Sequence, residues 1–357
     1  MIKKDFIERV LEVLKILVET PTPTGEEERL HGFLSSFLEK AGFKVHIQKV
    51  PGSFSNLIAK RGKSSFLVCT HLDTYPPFDH PQPYRMRRCG EVVVGRGVVD
   101  PKGQIACLLV AIEMSDAPCQ VAFTSGEEEE ALGSRFLEVE AEEAVVLEPT
   151  DLVVCLSQAG AIEIEVEVEG KAVHGSCPWE GENAVLKAFE IYRRLEELSF
   201  LKKVHPHFPR GGWINLGKIE GGKDVMVVPY RCSFQADIGV VPGTDVEQAL
   251  IEIKKVVEEE GGNLKLKDIS SPFEIKPHLR SLELLESCFK KVAGKTFSIG
   301  GMPSWTDAEN FWKKKIPCLI FGAGKLSSAH SNFESISLKE LETFTLLLTC
   351  FLNRLDF

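Results

Sequence analysis

The sequence predicts an α/β fold, a mostly parallel sheet with helices on both faces, interrupted by a smaller ferredoxin-like α+β domain. Three observations predict it. Short apolar runs alternate with helix-period stretches from the start of the chain through Leu147. Ala161 to Glu169, AIEIEVEVE, then switches to strict period two, as an antiparallel strand does when one face is wet. At about Phe273 the first pattern resumes. The expected division is residues 1–157 plus 273–357 for the larger domain and 158–272 for the insertion.

The elements follow in order. Phe6, Val10, Val13, Leu14, Leu17 and Val18 recur at helical spacing up to Pro21 and Pro23. Thr24 with Glu27 reads as a capping box for a second helix, whose buried stripe is Leu30, Phe33, Leu34, Phe37 and Leu38, ending at Gly42. Strand-like runs cover Lys44 to Gln48, Asn56 to Ala59 and Ser65 to Cys69, the last delivering His71 and Asp73 to its C-terminal end. After a strand at Glu91 to Val94, a glycine-bordered loop presents Asp100 just before an apolar helix, Ile105 to Met114. In Gln120 to Gly133, QVAFTSGEEEEALG, a buried strand exits at Ser125-Gly126 and a helix is expected from Glu127. Ala144 to Leu147 ends in Glu148-Pro149-Thr150. The insertion reads β-α-β-β-α-β. Beyond it come a helix from Leu282 to Val292, a turn-rich Gly300 to Thr306, a strand Pro317 to Gly322, then Ala329-His330 and a last helix from Lys339.

Length and composition bound the function. At 357 residues the chain exceeds the size at which single cores stop growing, and a hydrophobic fraction of 43% supplies ample core. Its net charge of −10 argues against nucleic acid or an anionic membrane as partner, since both reward a basic surface. A small-molecule substrate suits it better. The start, MIKKDFIERV, lacks the apolar core of a signal peptide, and no run has the roughly 18 apolar residues of a spanning helix. A cytoplasmic protein is expected. Ten scattered cysteines without a C-x-x-C pair read as small buried hydrophobes in a reducing compartment.

His71, Asp73, Asp100, Glu127, Glu128, Glu148 and His330 all fall just after predicted strands. Singly, each has an ordinary explanation: a core histidine, a helix cap, a first-turn glutamate beside the macrodipole, or a loop charge. Jointly they are metal-ligand types at one kind of place, the C-terminal ends of strands, where open α/β sheets bind ligands. Two histidines and several carboxylates suffice for two zinc ions roughly 3.5–4 Å apart, provided one carboxylate bridges them.

On these residues the chain resembles the co-catalytic di-zinc amidohydrolases and exopeptidases that include acetylornithine deacetylase, succinyl-diaminopimelate desuccinylase and carboxypeptidase G. The motifs appear in family order: His71-Leu72-Asp73, Asp100 with Lys102-Gly103, Glu127-Glu128, Glu148 and His330. The resemblance implies that Asp100 bridges two zinc ions, cobalt being a possible substitute. One ion takes His71 and Glu148, the other Glu128 and His330. It further implies that Asp73 orients the His71 ring, that Glu127 is the general base, and that a cis peptide follows Asp100, here an Asp-Pro bond. The inserted domain corresponds to the family's lid or dimerisation domain, so a homodimer through it is implied. His174, in GKAVHGS, matches the segment whose histidine reaches the active site as an oxyanion donor.

Two positions depart from the family pattern. Met226 stands before Val227-Val228-Pro229, where asparagine is usual, and Gly239 follows Asp237-Ile238, where an arginine commonly holds a substrate carboxylate. Lys223, Arg231 and Arg210 are the cations that could take over. Asp307, in Trp305-Thr306-Asp307-Ala308, matches a motif near the site and reads as structural or as a partner of the ligands. The activity implied is hydrolysis of an N-acyl amino acid, such as acetylornithine, acetyl-lysine or succinyl-diaminopimelate. The alternatives are a dipeptidase or carboxypeptidase using the same chemistry, and a non-catalytic metal-binding scaffold. The intact Glu127 counts against the scaffold, because folding does not require a base that is not a ligand.

Overall fold

Six consecutive buried residues, Phe66–His71, form the middle strand of the main sheet in a computed structural model that describes residues 2–276 and 278–355. A strand buried on both faces needs a cover on each side. Inter-residue contacts divide the chain into two units, one of 1–156, 275–299 and 306–357, the other of 157–274 and 300–305.

In the larger unit the strands lie in the order Lys44–Lys49, Ser55–Arg61, Cys119–Thr124, Phe66–His71, Glu143–Val146, Cys318–Ile320, Val154–Gln158. The central four are parallel. Register aligns their exits: His71 stands beside Thr124, and Cys69 beside Val146. Ladder bonds carry on past the strand ends, from Leu72 N to Thr124 O at 2.9 Å and from Leu147 N to Cys69 O at 2.8 Å. Everything that follows these strands therefore emerges at one edge. The helices Ile2–Glu19, Lys102–Glu113, Arg280–Ala293 and Leu338–Leu352 pack on one another. Lys102–Glu113 is buried at nearly every position, as an all-round apolar helix must be. A small antiparallel sheet, Arg87–Cys89, Val92–Val94 and Ser335–Ser337, joins the chain just before Asp100 to the chain just after His330.

The smaller unit is a four-stranded antiparallel sheet in the order Trp213–Gly221, Arg231–Val240, Gly160–Glu169, Gly262–Ile269. Alternation in Gly160–Glu169 puts Ile162, Ile164, Val166 and Val168 into a core with Ala188, Ile191, Ile253 and Val257, which come from the helices Ala184–Glu196 and Val246–Glu259. Each such burial contributes about 1.5–3 kcal/mol before entropy is counted. Both helices start on side-chain caps, Asn183 and Asp245.

Three expectations give way. Thr24 and Glu27 form no capping box: Thr24 Oγ1 donates to Asp73 Oδ2 at 2.9 Å, and Glu27 Oε1 accepts from Gly126 N at 2.9 Å. Both side chains are drawn to the sheet edge instead. No helix begins at Glu127; Glu127 to Glu130 form turns, and a helix of four residues, Leu132–Arg135, follows only after Ala131 at φ 51. The glutamate amides bond to Asp73 rather than entering a helix. The turn-rich stretch at Gly300 contains a strand, Ile299–Met302, and residues 300–305 group with the smaller unit. There Ala159 N donates to Met302 O at 2.9 Å, and Gly301 lies so close to Phe208 that a Cβ would overlap the ring.

Candidate metal centre

Asp73 organises the sheet-edge side chains of the larger unit. The extended strand brings it two residues past His71, fully buried, where its Oδ1 accepts from Glu127 N at 3.1 Å and faces His71 Nδ1 at 3.4 Å. Its Oδ2 accepts from Glu128 N at 3.0 Å and from Thr24. Gly126, at φ 70, supplies the left-handed turn that points both amides back at this carboxylate. One aspartate thereby fixes the ring of His71 and the two glutamates together.

The other face of the His71 ring points into the centre. Its Nε2 lies 3.0 Å from Asp100 Oδ1 and 4.0 Å from Glu148 Oε1. His330 Nε2 lies 3.2 Å from Glu128 Oε2 and 3.7 Å from Asp100 Oδ2. Two donor sets result, His71 with Asp100 and Glu148, and Asp100 with Glu128 and His330. In each, one donor atom per residue lies within 4.8 Å of the others, and Asp100 belongs to both. A third set, His71 with Glu127 and Glu128, overlaps them. The ring of Tyr75 stacks on His330 with centroids 3.9 Å apart, and Tyr75 N donates to Glu128 Oε1 at 2.9 Å. The bond between Asp100 and Pro101 is cis.

Charge in this centre is unbalanced. Burial pushes the Glu127 and Glu148 carboxyls well above their usual range, and neighbouring carboxylates add to it, chiefly Glu148 for Glu127 and Asp100 for Glu148. Burial also raises Glu128, against the bond from His330. For His71 burial acts downward but is overcome by Glu127 and by the contacts to Asp100 and Asp73, so the imidazole is held well above its ordinary value. Two imidazoles cannot neutralise Asp73, Asp100, Glu127, Glu128 and Glu148.

Divalent cations fit this arrangement. Imidazole nitrogen and carboxylate oxygen are the donors zinc takes at about 2.0–2.2 Å, which makes the edges of a tetrahedral site about 3.3–3.6 Å long. The closest donor pairs, at 3.0 and 3.2 Å, are near that length. Glu148 Oε1 is buried with no hydrogen-bond partner among the described residues, and such an oxygen is costly unless something positive meets it. Another histidine group, His205, His207 and Glu274, lies in the smaller unit, where both Nδ1 atoms serve other bonds: His205 Nδ1 accepts from His207 N, and His207 Nδ1 pairs with Ser157 Oγ at 2.8 Å, while His205 Nε2 faces Glu274 Oε1 at 3.5 Å.

The structure thus gathers His71, Asp73, Asp100, Glu127, Glu128, Glu148 and His330 in one place. His174 belongs to the smaller unit and is exposed, its Nδ1 accepting from Ser176 N at 3.1 Å. Asp307 accepts from Thr124 Oγ1 at 2.5 Å, and burial raises its carboxyl. Lys102 is buried, donates to Thr20 O at 2.8 Å, and is lowered by that burial to about 7. Sequence reasoning missed Thr24, Glu27, Tyr75 and Glu334 as builders of the centre. Tyr75, two residues past Asp73, was the only one with a positional signal.

The departures have a physical account. Trp213 pairs with Gly239 across the sheet, and a Cβ at Gly239 would overlap the indole. A side chain at 239 therefore has no room until Trp213 moves. Lys223 sits over the Tyr230 ring at 5.4 Å, and Arg231 lies 3.5 Å from Glu169, so both cations have local partners. Met226 is exposed, and its amide donates to Asp224 Oδ1 at 2.7 Å.

Residues 156–265 match the peptidase dimerisation domain. A probable carboxypeptidase of Emericella nidulans is 28% identical over 93% of this chain and 86% of its own length. An acetylornithine deacetylase of Photorhabdus laumondii is 26% identical over 92% of each. In fold, an M20 family metallo-carboxypeptidase from Sulfolobus solfataricus superposes with a TM-score of 0.79 at 16% identity, covering 97% of this chain and 99% of that one. Relatives named for a deacetylase and for a carboxypeptidase thus align along nearly the same span, and with the dimerisation domain at residues 156–265 the chain is similar over almost its whole length to metallohydrolases of the M20 peptidase family.

Proposed function

We propose that the protein hydrolyses the amide bond of an N-acyl amino acid with two divalent ions, zinc or cobalt, held by His71, Asp100 and Glu148 on one side and by Asp100, Glu128 and His330 on the other. The observation that carries this reading is the pair of donor sets sharing Asp100, with Glu127 buried beside them. When bound, such ions supply Lewis acidity, which makes water a competent nucleophile near neutral pH and polarises a carbonyl. Glu127 takes the proton of the attacking water and returns it to the leaving nitrogen. Its amide is fixed by Asp73, which keeps the carboxylate in one place through both transfers. His174 is the proposed donor to the oxyanion, and pairing of two chains through the dimerisation domain is proposed with it.

The deacylase reading is preferred because Glu148-Pro149-Thr150 and the pattern from Gly322-Ala323-Gly324 to Ala329-His330 look most like the deacetylase and desuccinylase branch. The exopeptidase reading draws on the probable carboxypeptidase of Emericella nidulans, and the lack of room at Gly239 for a carboxylate clamp bears on both readings alike, since both substrates end in a free carboxylate. Amine release from N-acetyl and N-succinyl amino acids and from dipeptides, with zinc- or cobalt-loaded protein, separates the two. Preference for one acylated basic amino acid is expected and would place the enzyme in amino-acid biosynthesis. Preference for dipeptides would establish the peptidase, and no turnover with both ions bound would defeat both readings.

A further inference from the structure

Glu334 is fully buried, four residues past His330, and its carboxylate collects four donors from the loop that carries Asp100. Oε2 accepts from Gly97 N and from Arg96 Nη1, each at 2.9 Å. Oε1 accepts from Val99 N at 2.8 Å and from Asp100 N at 3.1 Å. Its own carbonyl accepts from Gly95 N at 3.2 Å. Three amides between Gly97 and Asp100 thus converge on one anion, a backbone arrangement that collapses or turns to solvent without it.

The loop on the other side is equally closed. Ser328 Oγ donates to Ser335 O at 3.1 Å and accepts from Ser335 N at 3.0 Å, while Ser331 Oγ donates to Ser328 O at 2.8 Å. Between these ties His330 is held at φ 59, a backbone state rare for a residue with a side chain. One short ring of chain therefore presents His330 on one flank and Glu334 on the other. Asp100 and His330 come from segments 230 positions apart, and Glu334 is the side chain that bonds one segment while belonging to the other.

We propose that Glu334 is a positioning residue for the metal centre, setting the Asp100 backbone against His330 so that both reach one ion. It touches neither ion nor substrate. This rests on the two-ion reading above. Arg96 sets its guanidinium against the same carboxylate, Nη1 lying 2.9 Å from Oε2.

The test is zinc affinity of the full chain, measured by competition with a chromophoric chelator, for wild type, Glu334→Gln and Ile336→Ala. Gln keeps the volume but turns an amide NH2 toward backbone donors. Ile336→Ala removes a buried side chain from the strand after the same loop and leaves all four bonds in place. Outer partners of metal ligands typically cost about 10–100-fold in affinity when lost. Glu334→Gln is expected to bind zinc at least tenfold more weakly, with turnover restored at high zinc, while Ile336→Ala keeps wild-type affinity at a similar loss of thermal stability. Should Glu334→Gln not fold, Glu334→Asp, which keeps the charge but falls short of the amides, carries the same expectation. Equal affinity in wild type and Glu334 variants, or an equal loss in Ile336→Ala, overturns the proposal. A wild-type chain that binds fewer than two ions in the same titration overturns the two-ion reading itself.

Discussion

Glu127 and Glu128 are neighbours in sequence with different surroundings. Glu128 accepts from Tyr75 N and contacts His330, whereas the cation facing the Glu127 carboxylate among the described residues is His71, its Nδ1 4.0 Å away. A carboxylate without a fixed partner can move a proton. We expect Glu127→Gln to retain both metals by elemental analysis while turnover falls by about 10²–10⁴-fold, the usual contribution of a positioned base. Activity within twofold of wild type would transfer the role to Glu128 or to no side chain at all. At this scale the sequence was informative about residue type and poor about partnership. His71, Asp100, Glu148 and His330 announce themselves because metal-ligand chemistry accepts few side chains and each follows a strand. Asp73 was read only as a support for His71, yet its oxygens also seat Glu127 and Glu128. Thr24, Glu27 and Glu334 were unreadable as site residues, since each bonds to a segment between 49 and 237 positions away. Local spacing carries no trace of such a partner, and for Thr24 and Glu27 the capping-box pattern suggested a different one.

At the scale of elements, the helix Lys102–Glu113 and the loop before it decide where Asp100 stands. Gly103 lies in the first turn, its N bonds to Gly97 O at 3.2 Å, and a Cβ there would overlap the Val98 carbonyl. Helix propensity alone favours Gly103→Ala by about 1 kcal/mol. Overpacking costs about 1–3 kcal/mol, toward the upper end when the obstacle is main chain. The overlap wins, so Gly103→Ala should lower the denaturant midpoint and, by displacing Val98, also weaken zinc binding. A higher midpoint than wild type would show that the helix can shift freely and that its seat does not set Asp100. Parallel strands were readable in the apolar runs at residues 66–69 and 121–123 because strands covered on both faces are largely apolar. Their order was not. Ser55–Arg61 pairs antiparallel with Cys119–Thr124 across more than 50 residues, and nothing local in either sequence specifies that partner. The helix expected at Glu127 failed for a related reason, because four glutamates fit a first helical turn only while no distant carboxylate claims their amides.

For the molecule as a whole, the centre crowds carboxyl groups whose mutual repulsion bound cations would relieve. Asp73, Asp100, Glu127, Glu128 and Glu148 crowd one edge of the larger unit, while the candidate set among the described residues of the smaller one, His205, His207 and Glu274, holds a single carboxylate. No helix of the described residues is long and apolar enough to cross a membrane. An ion that binds only the folded chain adds about 2.7 kcal/mol at a free concentration 100 times its dissociation constant. In a domain of the larger unit's size, each kcal/mol moves Tm by about 2–4 °C. Chelation should therefore lower the melting of the larger unit by about 5–10 °C for each ion lost. Hydrogen exchange locates the effect: amides of Phe66–His71 should lose protection on chelation, and those of Gly160–Glu169 should keep theirs. The direction is fixed by the electrostatics, since removing the ions leaves carboxylates that can lower their repulsion only by taking up protons or by opening the fold. Equal loss of protection in both strands would place the metal's effect outside this centre, and unchanged exchange in both would mean that the carboxylate cluster is balanced without any ion.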